Sequence, residues 1–260
     1  MSEWNASRYN HISTCQMMLA EEELRRLKLG GSERIIDVGC GDGKVTAEIA
    51  RMVPRGSVLG VDPSHNMIDF AIRHFPPEKT ANLRFAIADA RSLPYREEFD
   101  LAVSFNALHW VREQEAALRS LYEALKPGGR ATLRFVPKGK VVLEYFIEDT
   151  RQAPRWVSYF NDFQAPFAHF TPEEYRTMAA RAGFEIDHIL VEQRAWDFET
   201  PEAFTEFCRA TFVEWLRRLP ESERPIFITD VLSRYRAGVP PEKANEFRFQ
   251  QMEVALTRNR

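Results

Sequence analysis

A group of glycines flanked by carboxylates near residue 40 is the part of the sequence whose residue types most clearly indicate chemistry. The stretch IIDVGCGDGKVT (35–46) runs from a strand-like apolar segment, through three alternate glycines, into a helix-like segment. Glycine lets a ligand approach the backbone more closely than a Cβ would allow, and the start of a helix offers free amides. We therefore predict a cofactor-binding loop at Gly39, Gly41 and Gly43.

The spacing and charge of this loop distinguish two classes of cofactor. A dinucleotide-binding loop has the pattern GxGxxG, which requires a third glycine where this chain has Lys44, and it holds a pyrophosphate. Asp37 and Asp42 bracket the loop. Carboxylates repel a pyrophosphate but attract a ligand that carries an ammonium and a sulfonium. Both features favour the cationic ligand.

Alternating strand-like and helix-like segments in the first half of the chain would position this loop. Short apolar, β-branched segments occur at 34–39, 57–62, 83–89, 99–105 and 130–135. Helical patterns begin at Lys44, His65 and Arg112. The third meets Pro127-Gly128-Gly129, which favours the end of a helix. The alternation predicts a doubly wound α/β sheet whose ligands bind beyond the carboxyl ends of its strands.

The second half of the chain is rich in aromatic residues and carries clear helix starts. Thr171 is followed by Pro172 and Glu174, which together predict a capping box, and another capped helix begins near Thr200. Two further strands are predicted, at 185–198 and 246–256.

Composition excludes several classes of function. The net charge is −3 without a basic block, so we expect no nucleic-acid partner. The three cysteines form no CxxC pair, and the histidines at 65, 74, 169 and 188 have no partners at metal-ligand spacing, so we expect no metal and read these histidines as surface or core residues. No secretory pattern or membrane span is evident, and we expect a soluble cytoplasmic protein, as a monomer or weak dimer.

Residues 33–136 resemble the class I S-adenosylmethionine-dependent methyltransferases. The resemblance implies that Asp37 and the three loop glycines hold the methionine portion of the cofactor, and that Asp62 binds the ribose hydroxyls. It implies further that Asp89 meets the adenine amino group, with the Ala90 backbone beside it. The alternative is that Asp62 and Asp89 only cap helices. Further contacts to the cofactor are predicted at Cys40, Pro63, Met67, Asn106 and Leu108, although Cys40 and Met67 also suit packing roles.

The same resemblance implies the whole architecture. We expect a doubly wound, Rossmann-like, seven-stranded sheet, mostly parallel with an antiparallel last strand, plus a helical lid. The expected organisation is an N-terminal helical lid segment (1–32), the cofactor-binding core (33–136), and lid insertions with the final strands of the same domain (137–260).

The stretch VSFNALHWV (103–111) ends the fourth strand, which in this fold faces the donated methyl group. Methyltransferases for amide or base nitrogens carry an Asn/Asp-Pro-Pro-aromatic pattern there, and this chain has only Asn106. The stretch instead resembles juvenile hormone acid methyltransferases, and WNASRY (4–9) resembles trans-aconitate methyltransferases. Both groups methylate carboxylates. The resemblance therefore implies a carboxyl O-methyltransferase.

In the hormone-acid group, a Gln seven positions after a Tyr and the Trp of a His-Trp pair position the acid. Tyr9, Gln16 and Trp110 reproduce that arrangement. A carboxylate is already anionic at neutral pH, so its methylation needs alignment and exclusion of water but no general base. Neutral donors on Gln16 and Trp110 hold it without neutralising it, and His109 is a possible third donor. We also expect Trp156 and Phe167 to contact the acceptor.

Alternatives stay open at this point. A hydroxyl or amine methyltransferase would use a neutral His109 as general base. His109 and Trp110 could instead only pack against the lid. A nicotinamide-dependent oxidoreductase is disfavoured by Lys44, and a cofactor-binding regulator would bind the cofactor without chemistry.

The lid aromatics favour an acid with an apolar tail over a polyacid. Burial of a tail contributes about 0.8 kcal/mol per methylene, whereas each extra carboxylate needs paired donors. A polyacid would require Arg151, Arg155 and Arg209 to converge in space.

Overall fold

The computed structural model describes residues 24–139, 143–165 and 167–260. The predictions made for Tyr9 and Gln16 lie outside these residues. Across the described ranges, no helix is both long enough and apolar enough to cross a membrane.

In the part of the chain that the structure describes, seven strands form one sheet in the order β3-β2-β1-β4-β5-β7-β6. The strands are β1 Arg34–Val38, β2 Ser57–Asp62, β3 Leu83–Ile87, β4 Phe99–Phe105, β5 Leu125–Phe135, β6 Phe184–Asp197 and β7 Glu246–Arg258. The pairs β1–β2, β1–β4, β2–β3 and β4–β5 are parallel, and β5–β7 is antiparallel. The predicted seven-stranded, mostly parallel sheet with an antiparallel last strand is confirmed.

Helices connect the strands, and those that begin at Lys44, His65, Pro172 and Pro201 lie where the sequence predicts them. The helix Leu143–Arg151 was not predicted. The helices of the described residues are Lys44–Met52, His65–His74, Gln114–Ala124, Leu143–Arg151, Pro172–Arg181, Pro201–Thr211, Val213–Leu216 and Arg224–Ala237, with 3-10 helices at Ala90–Ser92, Leu108–Trp110, Val157–Phe160 and Pro241–Lys243. The capping box at Thr171 forms as predicted, because its hydroxyl accepts from the Glu174 amide while the Glu174 carboxylate accepts from the Thr171 amide.

The third helix differs from its prediction at both ends. It begins at Gln114 rather than Arg112 and ends at Ala124, and the Pro127-Gly128-Gly129 turn signal lies inside β5. At this end of the helix, the amides of Glu97 and Glu98 donate to the carbonyls of residues 123 and 124 at 2.8 and 2.9 Å, which satisfies two carbonyls that have no partner within the helix. The Pro127-Gly128-Gly129 segment therefore does not end the helix. It forms an irregular part of β5, near the start of that strand, where the register of pairing between β4 and β5 shifts.

Two compact units account for the described residues. The first contains 24–137, 167–191 and 252–260, and the second contains 192–251 with the described part of 138–165. In the first unit, two buried apolar clusters include residues from the central strands, with Ile36 in one cluster and Ile35 in the other. These buried strands lead into the carboxyl-terminal loops that contain the candidate site. The predicted division at 32/33 and 136/137 stays a prediction.

The second unit has its own aromatic core. Trp156 is 1 % exposed, its indole N–H donates to Asp230 at 2.8 Å, and its ring meets Phe227 edge-on. Trp215, also 1 % exposed, donates to Glu148 at 3.0 Å. A buried indole N–H needs a hydrogen-bond partner, and each of these two has one, so both tryptophans are well accommodated in this core.

Candidate active site

The register of the parallel strands brings the predicted site residues to one edge of the first unit. Asp37 near the end of β1 is paired with Gly60 of β2 and Val103 of β4. The amides of Gly39 and Cys40 both donate to the Val61 carbonyl, at 2.7 and 3.0 Å. The glycine loop is thereby attached to the end of β2.

Only one of the three loop glycines faces open space. All three have positive φ, at 81° for Gly39, 53° for Gly41 and 81° for Gly43. A Cβ on Gly39 would lie 2.1 Å from the Ala107 Cβ, and one on Gly43 would lie 2.7 Å from the Phe85 ring. Among the described residues, a Cβ on Gly41 would meet nothing within 4 Å. Packing within the protein therefore explains Gly39 and Gly43, and Gly41 is where a ligand can approach.

Asp37 is a buried carboxyl held by one hydroxyl. It is 3 % exposed, and the Thr46 hydroxyl donates to its Oδ2 at 2.7 Å. Burial raises the pKa of Asp37 to about 7, although the Thr46 hydrogen bond opposes the shift, and the nearby charge of Asp62 raises the pKa further. Asp37 can therefore change its charge near neutral pH.

Asp42 contributes less negative charge to the loop than the sequence argument assumed. Its Oδ2 lies 3.6 Å from the Lys44 ammonium, and its Oδ1 accepts from the Lys44 amide at 3.3 Å. The ammonium offsets the Asp42 charge, so the preference for a cationic ligand rests on Asp37 and Asp62.

Asp62 joins the glycine loop to the following helix without capping that helix. Its Oδ2 accepts from the Gly41 amide at 3.1 Å, and its Oδ1 accepts from the Ser64 amide at 2.9 Å. The N-cap of helix His65–His74 is Ser64, whose side chain accepts from the Met67 amide. The alternative role of Asp62 as a helix cap is therefore wrong.

Asp89 is the N-cap of the 3-10 helix Ala90–Ser92 and is also paired with an arginine. Its Oδ1 accepts from the Arg91 amide at 2.9 Å, and the Arg91 guanidinium donates to both of its oxygens at 2.6 to 3.0 Å. These hydrogen bonds lower the pKa of Asp89. Arg91 also reaches Glu113 at 3.2 Å, so it has a second carboxylate partner.

The smaller predicted cofactor contacts differ in exposure. Cys40, Met67, Ala90 and Leu108 are all buried, and Pro63 is half-buried. Burial raises the pKa of the Cys40 thiol well above its usual value, so the thiol is protonated at neutral pH. Met67 and Leu108 are buried core residues, which for Met67 suits the packing role considered above.

Backbone strain and a buried amide shape the turn after β4. Asn106 has a φ of 56°, a conformation that few residues other than glycine adopt, and its amide donates to the Arg134 carbonyl at 2.7 Å. The 3-10 helix Leu108–Trp110 follows, and the buried Gln114 amide donates to the carbonyls of Leu108 and Val111. Gln114 therefore fixes the turn that carries His109 and Trp110.

His109 and Trp110 lie in an aromatic group with two residues from a distant part of the chain. The Trp110 ring meets the Phe167 ring edge-on at 6.4 Å, and the Phe167 ring stacks on His169 at 4.5 Å. His109 is 6 % exposed, and its carbonyl accepts from the Ala168 amide at 2.8 Å. Burial lowers the pKa of His109 to about 3, with a smaller contribution from His169. His109 is thus neutral at physiological pH.

Two predicted acceptor contacts differ in their placement. Phe167 packs beside Trp110 in the first unit, whereas Trp156 belongs to the core of the second unit and donates its N–H to Asp230. The roles of both residues toward a substrate remain predictions.

Sequence reasoning missed four residues of this site: Thr46, Arg91, Gln114 and His169. The sequence could have indicated two of them. Arg91 is two positions after the predicted adenine-binding carboxylate, and Gln114 is the first residue of the helix that follows His109 and Trp110. His169 had no such local signal, because it approaches His109 only through the fold. Within the ranges that the structure describes, no group of three His, Cys, Asp or Glu side chains could hold a metal ion.

Comparison with known proteins supports the class of protein that the site suggests. Residues 35–129 match the family model described as a methyltransferase domain. This match, with the relatives and the solved structure given below, supports a class I S-adenosylmethionine-dependent methyltransferase.

Individual relatives narrow the comparison. The chain is 27 % identical over 245 residues to juvenile hormone acid O-methyltransferase of Drosophila melanogaster, covering 87 % of this chain and 81 % of the relative. It is 25 % identical to trans-aconitate 2-methyltransferase of Delftia acidovorans, covering 99 % of each. The solved structure of Haemonchus contortus phosphoethanolamine N-methyltransferase 2 with S-adenosyl-L-methionine has a TM-score of 0.62 at 18 % identity, over 98 % of this chain and 57 % of that one.

Proposed function

We propose that this protein transfers the methyl group of S-adenosylmethionine to the carboxylate of a small acid with an apolar tail. The observation that carries the proposal is the burial of His109 beside Trp110 at the end of β4, which lowers the pKa of His109. Such a site offers neutral hydrogen-bond donors and a poor base. Two relatives are named for methylation of acids, which supports the same class of acceptor.

The described loop fits the cofactor. Gly41 leaves open space beside the backbone, and the Asp62 carboxylate lies at the end of β2, where it would accept from the ribose hydroxyls. Asp37 would face the amino group of the methionine portion, and Asp89 the adenine. When bound, the cofactor supplies an electrophilic methyl group on a sulfonium.

The chain's own residues would orient the acid and exclude water. The Trp110 indole would donate to the acid, with Gln16 as the second donor predicted from the sequence. Neutral donors leave the carboxylate its nucleophilic charge, and the surrounding apolar rings strengthen each hydrogen bond by lowering the local dielectric. No proton has to move, because the acid is ionised at neutral pH.

The competing mechanism, with His109 as general base for a hydroxyl or amine, is disfavoured. Efficient general bases have a pKa near the working pH. A pKa of about 3 makes protonation of His109 at neutral pH unfavourable by several kcal/mol.

Pairing of the arginines favours a monocarboxylic acid over a polyacid. Arg151 pairs with Glu148 at 2.6 Å, Arg155 pairs with Glu223 at 3.1 Å, and Arg209 pairs with Glu206. Each cation therefore already has a carboxylate partner in the second unit. Trp156 and Trp215 pack in the core of the second unit, so aromatic content alone is weak support for an apolar tail. The pairing of the arginines with carboxylates is the stronger support.

A panel of free acids with radiolabelled S-adenosylmethionine tests the proposal. The panel contains straight-chain acids of increasing length together with trans-aconitate. We expect catalytic efficiency to rise with chain length until the pocket is filled, by roughly 0.8 kcal/mol per buried methylene. A flat series with trans-aconitate far above it would contradict the apolar tail. We propose a cytoplasmic enzyme whose partner is this small acid, without nucleic-acid or membrane partners.

Cofactor affinity should depend on pH through Asp37. The carboxyl gains its charge as the pH rises through about 7, and the charged form attracts the cationic cofactor. Affinity should therefore increase between about pH 6 and pH 8, by up to roughly tenfold. Titration calorimetry of wild type and Asp37→Asn tests this. We expect a flat profile for Asp37→Asn and the wild-type profile for Asp69→Asn, whereas an unchanged slope in Asp37→Asn would contradict the role.

The stability of the ligand-free protein should change with pH in the opposite direction to the cofactor affinity, because the pKa of Asp37 is raised. The folded state binds the Asp37 proton more tightly than the unfolded state, so the stabilisation is complete below the ordinary pKa of 3.8 and is lost as the pH rises through about 7.

Arg91→Ala should strengthen cofactor binding, because Arg91 occupies the carboxylate that we assign to the adenine amino group. The pair is partly exposed, so we expect a gain of only about two- to fivefold. Arg96→Ala is the matched control, since Arg96 pairs with Glu123 at 3.2 Å outside the site. Weaker binding by Arg91→Ala in calorimetry would show that Arg91 supports the cofactor instead.

A further inference from the structure

Two histidines of the first unit have buried ring nitrogens that lack a hydrogen-bond partner among the residues that the structure describes. They are Nδ1 of His109 and Nε2 of His169. An imidazole always has one nitrogen able to donate, and burial without a partner is costly. Buried polar atoms left unpaired in this way are expected where a ligand or water completes the hydrogen bonds.

The two imidazoles are held close to each other. Their centroids lie 6.2 Å apart, and the Ala168 amide binds the His109 carbonyl at 2.8 Å, which fixes the segment that carries His169. The Phe167 ring stacks on His169 at 4.5 Å and meets Trp110 edge-on. The two rings are therefore near enough to each other to contact the same small group.

The charge state of the pair suits a carboxylate. Burial lowers the pKa of His169 to about 4, and that of His109 to about 3, so both rings are neutral at physiological pH. Two neutral donors can bind the two oxygens of one carboxylate but cannot compensate a second negative charge. A metal is a weaker explanation, because no third His, Cys, Asp or Glu side chain among the described residues completes a ligand set.

We propose that His169 acts with His109 as a pair of neutral donors that binds the acceptor's carboxylate and restricts the acceptor to monocarboxylic acids. This inference rests on the proposed function and adds a residue to its site. His169 is sixty positions from His109, and its role is to bind the acceptor, not to move a proton.

His169→Phe tests the inference because it keeps a ring to stack on Phe167 and removes the donor, whereas His169→Asn keeps a donor. With decanoate as acceptor, we expect His169→Phe to raise KM by about tenfold or more, with kcat and the Kd of S-adenosylmethionine within about twofold of wild type. His169→Asn should recover most of the loss. An unchanged KM in His169→Phe, or an equal loss of cofactor affinity, would overturn the inference.

Ring proton shifts in the wild-type protein give a second readout that needs no turnover. Decanoate should shift the signals of His109 and His169, whereas decanol should not. His74 and His188 are internal controls, since their rings already bind Phe70 and Glu253 at 2.8 Å. Equal shifts at the controls, or no shift at His169, would overturn the inference. If the wild type methylates no free acid, the proposed function fails instead, and the shifts still test the pair.

Discussion

Asp62→Ala is expected to weaken the binding of S-adenosylmethionine by about 1 to 3 kcal/mol, or roughly 5- to 150-fold. Two losses combine in this variant. The ribose hydroxyls lose their charged acceptor, and the Gly41 amide loses the 3.1 Å hydrogen bond that attaches the loop to the end of β2. Titration calorimetry measures the effect directly, because it does not depend on the acceptor.

The control for this experiment is Asp69→Ala on the helix that follows. Asp69 is exposed on helix His65–His74 and lies away from the loop contacts described above. It carries the same charge, so it separates a local role of Asp62 from a change in net charge. A folded Asp62→Ala protein with wild-type cofactor affinity would rule out the assigned ribose contact.

Trp110→Phe should lower kcat/KM for the acid by roughly 10- to 150-fold, the equivalent of a hydrogen bond of about 1.5 to 3 kcal/mol to a charged group. Phenylalanine keeps a ring against Phe167 and removes the indole donor. The Kd of S-adenosylmethionine should stay near the wild-type value. Gln16→Ala should behave in the same way, since sequence reasoning gives Gln16 the second donor.

Trp196→Phe provides the matched control for Trp110. Trp196 is a half-buried tryptophan of β6, and it lies outside the candidate site. Steady-state kinetics and calorimetry on the three variants separate a donor from a packing residue. If Trp110→Phe lost cofactor affinity and acid affinity to the same extent, the assigned role would be wrong.

The sheet and its loops were predictable because their signals are local. The alternation of β-branched runs with amphipathic helices specifies a parallel sheet, and the Thr171 capping box specifies a helix start. The Pro127-Gly128-Gly129 segment misled the prediction because the same turn residues also suit an irregular strand, and pairing with β4 decided between them.

The site was predictable at the level of backbone and less so at the level of side-chain partners. Glycines and strand-end carboxylates were found by their spacing, but spacing could not reveal that the Asp89 carboxylate is paired with Arg91. Nor could it reveal that the Lys44 ammonium offsets Asp42. His109 and His169 are sixty positions apart in the sequence and come together only in the folded chain, so no local sequence pattern predicts their contact.

The choice of acceptor atom is the central claim, and a matched set of acceptors tests it most directly. Decanoic acid, decanol and decylamine share one tail and differ only in the reacting group, so tail burial cancels between them. Each is incubated with radiolabelled S-adenosylmethionine, and the product is identified by mass spectrometry. The proposal predicts methyl decanoate as the dominant product, with the alcohol and amine left unmodified. Methylation of decanol or decylamine in preference to the acid would contradict it.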